Sequence, residues 1–380
     1  LGSATPSLES YYNAQHNKYG CVTLSERYGK VIPPKVTLID LKESYRKKQI
    51  KGHFSEELIA AIEQVLANKE QVILFQNRRG YAKFLECLSC GFVPQCPNCD
   101  VSLTYHSSDH QIKCHYCGYH TPYSSHCGAC ESSNVFSRGL GTQQIQEELA
   151  MLFPNTKVGR MDFDTTRKKN SYEQLIKGFE NQEFQILIGT QMVTKGLDFQ
   201  NVALVGVLNA DGLLNFPDFR SHERCFQVLQ QVAGRSGRSN KQGQVIIQTY
   251  STTHPILIQV VKNHYNEMFE SQLAQRELFR YPPFVKLIRI VLLHKDFQKV
   301  KEGAAWFATA LKGGFQNHVL GPEAPLIERI RNQYQQQILI KIPQDFDLKK
   351  SKSFIKKIHK SFVSVGTFRS IKIQIDVDAY

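Results

Sequence analysis

Long apolar runs are missing from this 380-residue sequence. The longest, at 203–208, falls far short of the roughly 18 residues that a membrane span needs, so no membrane partner is expected. No basic-then-apolar stretch opens the chain. It also starts without Met, on Leu1-Gly2-Ser3-Ala4-Thr5-Pro6-Ser7, which reads like the interior of a domain, so a fragment of a longer protein is expected. Acidic residues are in deficit, 34 against 47 Lys+Arg, for a net charge of +13. That surplus favours a polyanionic partner, and Trp306, the one tryptophan, leaves little for a membrane interface; nucleic acid is the favoured class. Low-complexity tracts are absent, and 41% hydrophobic with 21% charged residues is the composition of folded domains rather than of a disordered chain. Two further absences matter. There is no G-x-x-x-x-G-K-[S/T] loop, which Lys312-Gly313-Gly314-Phe315 does not supply, and no Asp-Glu-x-His box. The sequence therefore holds neither a phosphate cradle nor a magnesium carboxylate of those kinds.

At about 150 residues per domain the length suggests two or three domains. Apolar spacing predicts a helix over 53–69, with Ser55 as a plausible N-cap, and a buried strand over 71–77. Helices at 142–152, 171–180 and 221–233 then alternate with strands at 157–162, 184–190, 202–209 and 244–250. This alternation predicts a parallel sheet covered on both faces, an α/β domain over about 53–250. Pro255 fits the first turn of a long helix reaching about 278. Tyr281-Pro282-Pro283-Phe284 breaks the pattern and marks a boundary. Strands at 287–293, 336–342 and 371–378, with helices at 298–311 and 347–360, predict a small α+β domain with an antiparallel-type sheet.

Eight of the ten cysteines form four C-x-x-C knuckles: Cys87/Cys90, Cys96/Cys99, Cys114/Cys117 and Cys127/Cys130. A two-residue gap lets both thiolates point at one ion, and two knuckles complete a tetrahedral Cys₄ shell. Two closed, structural zinc sites are expected. A hairpin-like stretch between 102 and 113 favours one zinc for the inner pairs and a second for the outer pairs; sequential pairing is the alternative. Tyr105, His106, His115, Tyr116, Tyr119, His120 and Tyr123 could stack on bases or simply cover the metal.

Gln231-Val232-Ala233-Gly234-Arg235-Ser236-Gly237-Arg238 ends a helix with two arginines on one face, able to present guanidinium groups to a phosphate bound elsewhere. Residues 186–199 are a buried strand running into a loop with Thr190, Lys195, Gly196 and Asp198. In order and spacing these pieces, with Gly2–Ser7, resemble superfamily 2 helicases: motif III at 2–7, IV at 72–82, V at 190–199 and VI at 231–238. The zinc insertion after Asn77-Arg78-Arg79-Gly80-Tyr81, together with Gly139-Leu140-Gly141-Thr142-Gln143-Gln144, Pro217-Asp218-Phe219-Arg220, Tyr281–Phe284 and Leu320-Gly321-Pro322-Glu323-Ala324-Pro325, is similar to the bacterial replication-restart helicases in particular.

That resemblance implies a RecA-like helicase lobe interrupted by a double zinc ribbon and followed by a C-terminal DNA-binding domain. Residues 1–52 would be the end of the first lobe and a linker, 53–86 and 131–280 the second lobe, 87–130 the zinc insertion and 281–380 the α+β domain. Arg235 and Arg238 would be arginine fingers, with Gln231 in the nucleotide cleft and Gly196 and Asp198 coupling nucleotide to DNA. Arg78, Thr142, Thr190 and Lys195 would lie near the DNA path. The family pairs its knuckles in the nested way, Cys87/Cys90 with Cys127/Cys130 and Cys96/Cys99 with Cys114/Cys117. ATP and magnesium would be held with an upstream lobe. Stalled forks, single-stranded DNA, single-stranded DNA-binding protein and other primosome proteins would be the partners, in the bacterial cytoplasm. Two rivals remain: another superfamily 2 translocase, and a non-enzymatic zinc-ribbon module that docks nucleic acid or protein. Basic clusters at 46–51, 167–169 and 349–360 are candidates for phosphate contacts.

Overall fold

Strands apolar along their whole length need cover on both faces, and helices returning between parallel strands supply it. The structure, a computed structural model, describes residues 2–24, 32–77, 84–87, 94, 97, 103–106, 109–113, 119–133, 135–138, 141–162, 165–166, 171–194, 199–214, 218–237, 242–325 and 327–378. In chain order, α1 (Leu8–Gln15) precedes β1 (Lys35–Asp40), α2 (Leu41–Arg46), the hairpin of β2 (Ile50–Lys51) and β3 (Phe54–Ser55), α3 (Glu56–Ala67) and β4 (Gln71–Phe75). The cysteine-rich stretch carries β5 (Phe84–Cys87), β6 (Thr104–His106), β7 (Gln111–Lys113), β8 (His120–Pro122) and β9 (Val135–Arg138). Next come α4 (Thr142–Leu152), β10 (Val158–Met161), α5 (Ser171–Glu180), β11 (Ile186–Gly189), β12 (Val202–Val207), α6 (Asp211–Leu214), α7 (Ser221–Ala233), β13 (Gln244–Thr249), α8 (Pro255–Lys262) and α9 (Tyr265–Leu278). The chain ends with β14 (Val285–His294), α10 (Phe297–Phe315), β15 (Val319–Glu323), β16 (Arg329–Ile330), β17 (Gln333–Pro343), α11 (Leu348–Ser364) and β18 (Lys372–Val377). Two compact units result: Leu1–Tyr81 with Leu140–Leu273, and Ala82–Gly139 with Ala274–Tyr380. Among the described residues no helix is long and apolar enough to cross a membrane.

The first unit is built on a six-stranded parallel sheet, ordered β1-β13-β12-β4-β11-β10. Alternate residues of each strand enter opposite layers. Ile73, Phe75, Leu187, Val205, Val245 and Ile247 pack with α7, α8 and α9. Val72, Leu74, Ile186, Ile188, Leu204 and Ile246 pack with α3 and α4. Helix α3 forms as its apolar spacing predicts: Leu58, Ile62 and Val65 are buried, and Ser55 Oγ accepts from the Leu58 N–H at 3.2 Å. Such a cap is worth about 1 kcal/mol, and emptying the Ile62 site with Ala would cost roughly 2–5 kcal/mol.

Two expectations need correction. The sheet has a further strand, β1, in register with β13 from Lys35↔Gln244 to Asp40↔Thr249. Its residues K-V-T-L-I-D bury only Ile39, because an edge strand needs little apolar surface. The single helix expected over 255–278 is two, because Asn263 takes a left-handed conformation (φ 55°) and the His264 N–H turns back to Gln259 O at 2.9 Å. Asn is one of the few residues that close a helix this way at small cost.

In the second unit the C-terminal stretch folds as an antiparallel sheet, β15-β17-β14-β18, with β16 paired to β17. Ile288, Ile290, Leu292, Ile338, Ile340 and Ile342 meet α10 and α11 on one face. Helix α11 buries Ile355, Ile358 and Phe362, while Lys349, Lys350, Lys352, Lys356, Lys357 and Lys360 stay outside its buried stripe.

At the start of α7 the His222 ring lies 5.0 Å from that of His254, which caps α8 by accepting the Ile256 N–H on Nδ1 at 3.3 Å. Burial pushes both imidazole pKa values down; a bond to Gln272 opposes this at His222, while at His254 the His222 charge adds to it and Asp211 opposes it. The unfolded chain therefore takes up protons first, and stability is lost as pH falls below about 6.5. Urea midpoints should fall between pH about 6.5 and 5, and His254→Asn, which keeps a cap acceptor, should flatten that slope. An unchanged slope would contradict this account.

Candidate functional site

With both sheet faces filled, ligands can reach only the two ends of the strands. At the carboxyl ends, neighbouring strands place Leu208, Gln76, Thr190 and Asp162 in a row. The Leu208 N–H reaches Phe75 O at 3.1 Å, Gln76 N–H reaches Gly189 O at 2.9 Å, and Thr190 N–H reaches Met161 O at 3.4 Å. Helix α4 leads into the amino end of β10, so its first residue, Thr142, lies at this end too. The Thr142 hydroxyl donates to Asp162 Oδ2, and Arg160 Nε stands 3.2 Å from the same oxygen. Asp162 is 2% exposed. It also accepts the Thr165 N–H on Oδ1 at 3.0 Å, and its carbonyl accepts the Thr166 hydroxyl at 2.7 Å. A buried carboxylate so surrounded holds the first turn of α4 to the end of β10. Gly141, at the N-cap of α4, offers no side-chain acceptor, and a helix N-terminus is in general a favourable place for an anion. Sequence reasoning did not single out Asp162, whose signal is an acid at a strand end followed by Thr165-Thr166. Gln76 and Asn77 fall in the motif at 72–82 but carry no sequence-assigned role of their own; their buried amide oxygens lack partners among the described residues.

The opposite ends of the strands hold the other group. After β11 a 3₁₀ turn, Gln191–Thr194, begins a crossing to the amino end of β12, with Phe199 buried beneath it. Helix α7 runs the same way and finishes there, where the Gly237 N–H donates to Val202 O at 3.1 Å. Gly237 has φ +75°, and a Cβ on Gly243 would sit 2.4 Å from Gly237 N, so both positions require glycine. Gln231 is exposed on the last turn of α7, and Arg235 lies one turn on, half-buried. Ser236 is buried, its hydroxyl donating to Ala233 O at 3.2 Å. Thus Thr142 and Thr190 stand at one end of the sheet and Gln231 and Arg235 at the other. Arg78, Lys195, Gly196, Asp198 and Arg238 lie outside the described residues. Cys225, on the buried face of α7, has its thiol pKa pushed far above the usual range by burial and by the Asp211 charge, so it carries no thiolate chemistry.

In the cysteine-rich block, β5 and β9 pair antiparallel with Cys87 opposite Val135, which brings the backbone at Cys87 beside the segment leaving Cys130. Cys127 to Cys130 form a tight turn: Cys127 N–H donates to Ser132 O, Glu131 N–H to Cys127 O (both 2.9 Å), and the Ala129 N–H points at Cys127 Sγ at 3.4 Å. An N–H aimed at sulfur suits a thiolate ligand, and neither cysteine is in a disulfide. The hairpin of β6 and β7 joins β8 in a second small sheet. Among the described residues of the block, Leu85 of β5 with Leu103 and Ile112 form a buried apolar cluster, with Tyr105, Tyr119, Tyr123, Val135 and Ile330 packed around them. Structural zinc, where bound, is worth on the order of 10–16 kcal/mol in small modules. Cys90, Cys96, Cys99, Cys114 and Cys117, and the side chain of Cys87, lie outside the described residues.

Residues 130–240, which take in β10, β11 and β12 of the parallel sheet, match the helicase conserved C-terminal domain. Residues 96–122 match the PriA DNA helicase Cys-rich region domain, and 277–380 match the primosomal protein N C-terminal domain. The replication restart protein PriA of Bacillus subtilis is 42% identical over 100% of this chain and 47% of its own length. That of Synechocystis is 39% identical over 100% of this chain and 46% of its own. The chain is a homologue of the PriA replication restart proteins, matching their C-terminal half and spanning about half their length. Among solved structures, RecG bound to a three-way DNA junction aligns over 65% of this chain and 23% of its own at TM-score 0.37 and 11% identity, too distant to add to that assignment.

Two substitutions test the geometry. Thr142→Val, which strips a donor from buried Asp162, should destabilise the fold by about 1–3 kcal/mol in urea titration, with Thr142→Ser near the parent. Gly243→Ala should cost at least about 1–3 kcal/mol, because the added carbon meets backbone.

Proposed function

We propose that this chain is the C-terminal half of an ATP-dependent 3′-to-5′ DNA helicase that recognises stalled or repaired replication forks and restarts replication through primosome assembly. The observation that carries this reading is the placement of the candidate residues at opposite ends of one sheet. Gln231 and Arg235 stand at the amino ends of the strands, and Thr142 and Thr190 stand at the carboxyl ends. Arg235 and Arg238 would answer the γ-phosphate of ATP held by an upstream lobe that supplies the phosphate loop and the magnesium carboxylates. Gly196 and Asp198 would lie along the crossing between the two ends and couple nucleotide to DNA. The first-turn N–H groups of α4, with Thr190, Lys195 and Arg78, would hold the DNA backbone. Because the Thr142 hydroxyl is spent on Asp162, that residue would act through its backbone N–H.

Two zinc ions per chain would be held in nested fashion. The β5–β9 ladder supports Cys87, Cys90, Cys127 and Cys130 as one shell, and the β6–β7 hairpin supports Cys96, Cys99, Cys114 and Cys117 as the other. When bound, zinc supplies cross-linking and no reactive position. Fork DNA, single-stranded DNA, single-stranded DNA-binding protein and other primosome proteins would be the partners, in the bacterial cytoplasm.

Elemental analysis of the purified chain should give about two zincs, and chelation should melt the ribbon block while the parallel-sheet unit keeps its circular dichroism. One zinc or none would refute the nested assignment. The chain alone should show no ATP hydrolysis; zinc-dependent turnover would refute the half-site reading. Fork binding should weaken with salt, log K falling by about 0.9 per phosphate contact per decade, and a flat response would contradict a DNA role for α11.

A further inference from the structure

The N-terminal segment belongs to neither group of site residues, yet it is gripped by the helix that carries one of them. The Leu8 N–H donates to Glu223 Oε1 at 2.9 Å, and Glu223 is 3% exposed. Gln227 Nε2 donates to the same oxygen at 3.1 Å and reaches the carbonyls of Thr5 and Pro6 at 3.4 and 3.3 Å. The Tyr265 hydroxyl donates to Pro6 O at 2.9 Å. Arg220, at the start of α7, donates to Glu9 Oε1 from Nη2 at 2.9 Å. Leu8 is fully buried, and Tyr11 meets Phe269 edge-on at 4.8 Å. Asp218 fixes the same end of α7, accepting from Arg220 N at 2.8 Å and Arg224 Nη1 at 2.7 Å.

Glu223, Gln227 and Gln231 follow at four-residue steps on α7, one above another, about 12 Å from first to last at 1.5 Å per residue. Arg235 comes one turn later. The geometry points to a latch: Glu223 and Gln227 are positioning residues that fasten the 2–7 motif to the rigid helix presenting Gln231 and Arg235. The latch rests on the helicase reading, in which 2–7 ends the nucleotide-binding lobe. A buried carboxylate accepting two hydrogen bonds does not release its partners cheaply. Displacement of the 2–7 segment is therefore passed along α7 as a rigid-body motion and sets how the arginine end meets the γ-phosphate. Neither Glu223 nor Gln227 touches the nucleotide.

The test is steady-state ATP hydrolysis by the full-length protein at saturating fork DNA. Glu223→Ala and Gln227→Leu should each lower the DNA-stimulated kcat by about tenfold or more, as small misplacements of reacting groups do, with KM for ATP within about twofold. Glu223→Gln, which keeps the acceptor for Leu8 N–H, should stay within about twofold of the parent. Unchanged kcat in Gln227→Leu with an unchanged melting temperature would overturn the latch. So would an equal loss in Glu223→Gln, or a fall in kcat that only tracks the folded fraction. Should Glu223→Ala fail to fold, Gln227→Leu decides. Parent protein without DNA-stimulated hydrolysis would bring down the helicase reading itself, and the latch with it.

Discussion

Burial of both faces of the parallel sheet is the constraint on which the rest depends. Val72 and Leu74 face one layer and Ile73 and Phe75 the other, so β4 has no free face to offer a ligand. The same holds for β11 and β12. Chemistry is thereby confined to strand ends, and the direction of each connection decides which end a residue reaches. Helices α4 and α7 both run from carboxyl ends to amino ends. Thr142 starts one of them and Gln231 nearly finishes the other, which is why two polar residues on helices of the same lobe serve opposite ends of it. Among the described residues between β11 and β12, Gln191–Thr194 form a 3₁₀ turn and Phe199 is buried.

The ribbon block differs from the two large sheets in what it buries. The parallel sheet and the antiparallel C-terminal sheet each carry an apolar core. Among the described residues of the ribbon block, Leu85, Leu103 and Ile112 form a small buried apolar cluster, and the sequence of the block carries eight cysteines. The match of this block to a PriA Cys-rich zinc-ribbon region suggests zinc as its cross-link, since closed Cys₄ sites are structural.

Much of this was legible in the sequence where the signal is local. The boundaries of α4, α5 and α7 follow from a 3.6-residue period, seen in Phe226, Leu229 and Ala233 of α7, and the C-x-x-C spacing announces its ligands within four residues. What was not legible depends on pairing across the fold. Strand β1 hides because an edge position asks little of its side chains. The break at Asn263 hides because one left-handed residue does not disturb the helical periodicity on either side of it. Asp162 and Thr142 are 20 residues apart and meet only once β10 and α4 lie side by side. Likewise Glu223 and Leu8, 215 residues apart, are joined only by the folded lobe.

The central claim is that nucleotide and DNA act at opposite ends of one sheet. Amide hydrogen exchange on the full-length protein, with fork DNA alone and with a non-hydrolysable ATP analogue alone, tests it most directly. The account predicts that DNA protects the first turn of α4 and residues 190–194, while the nucleotide analogue protects 231–237. Protection of the same end by both ligands, or the reverse assignment, would contradict it.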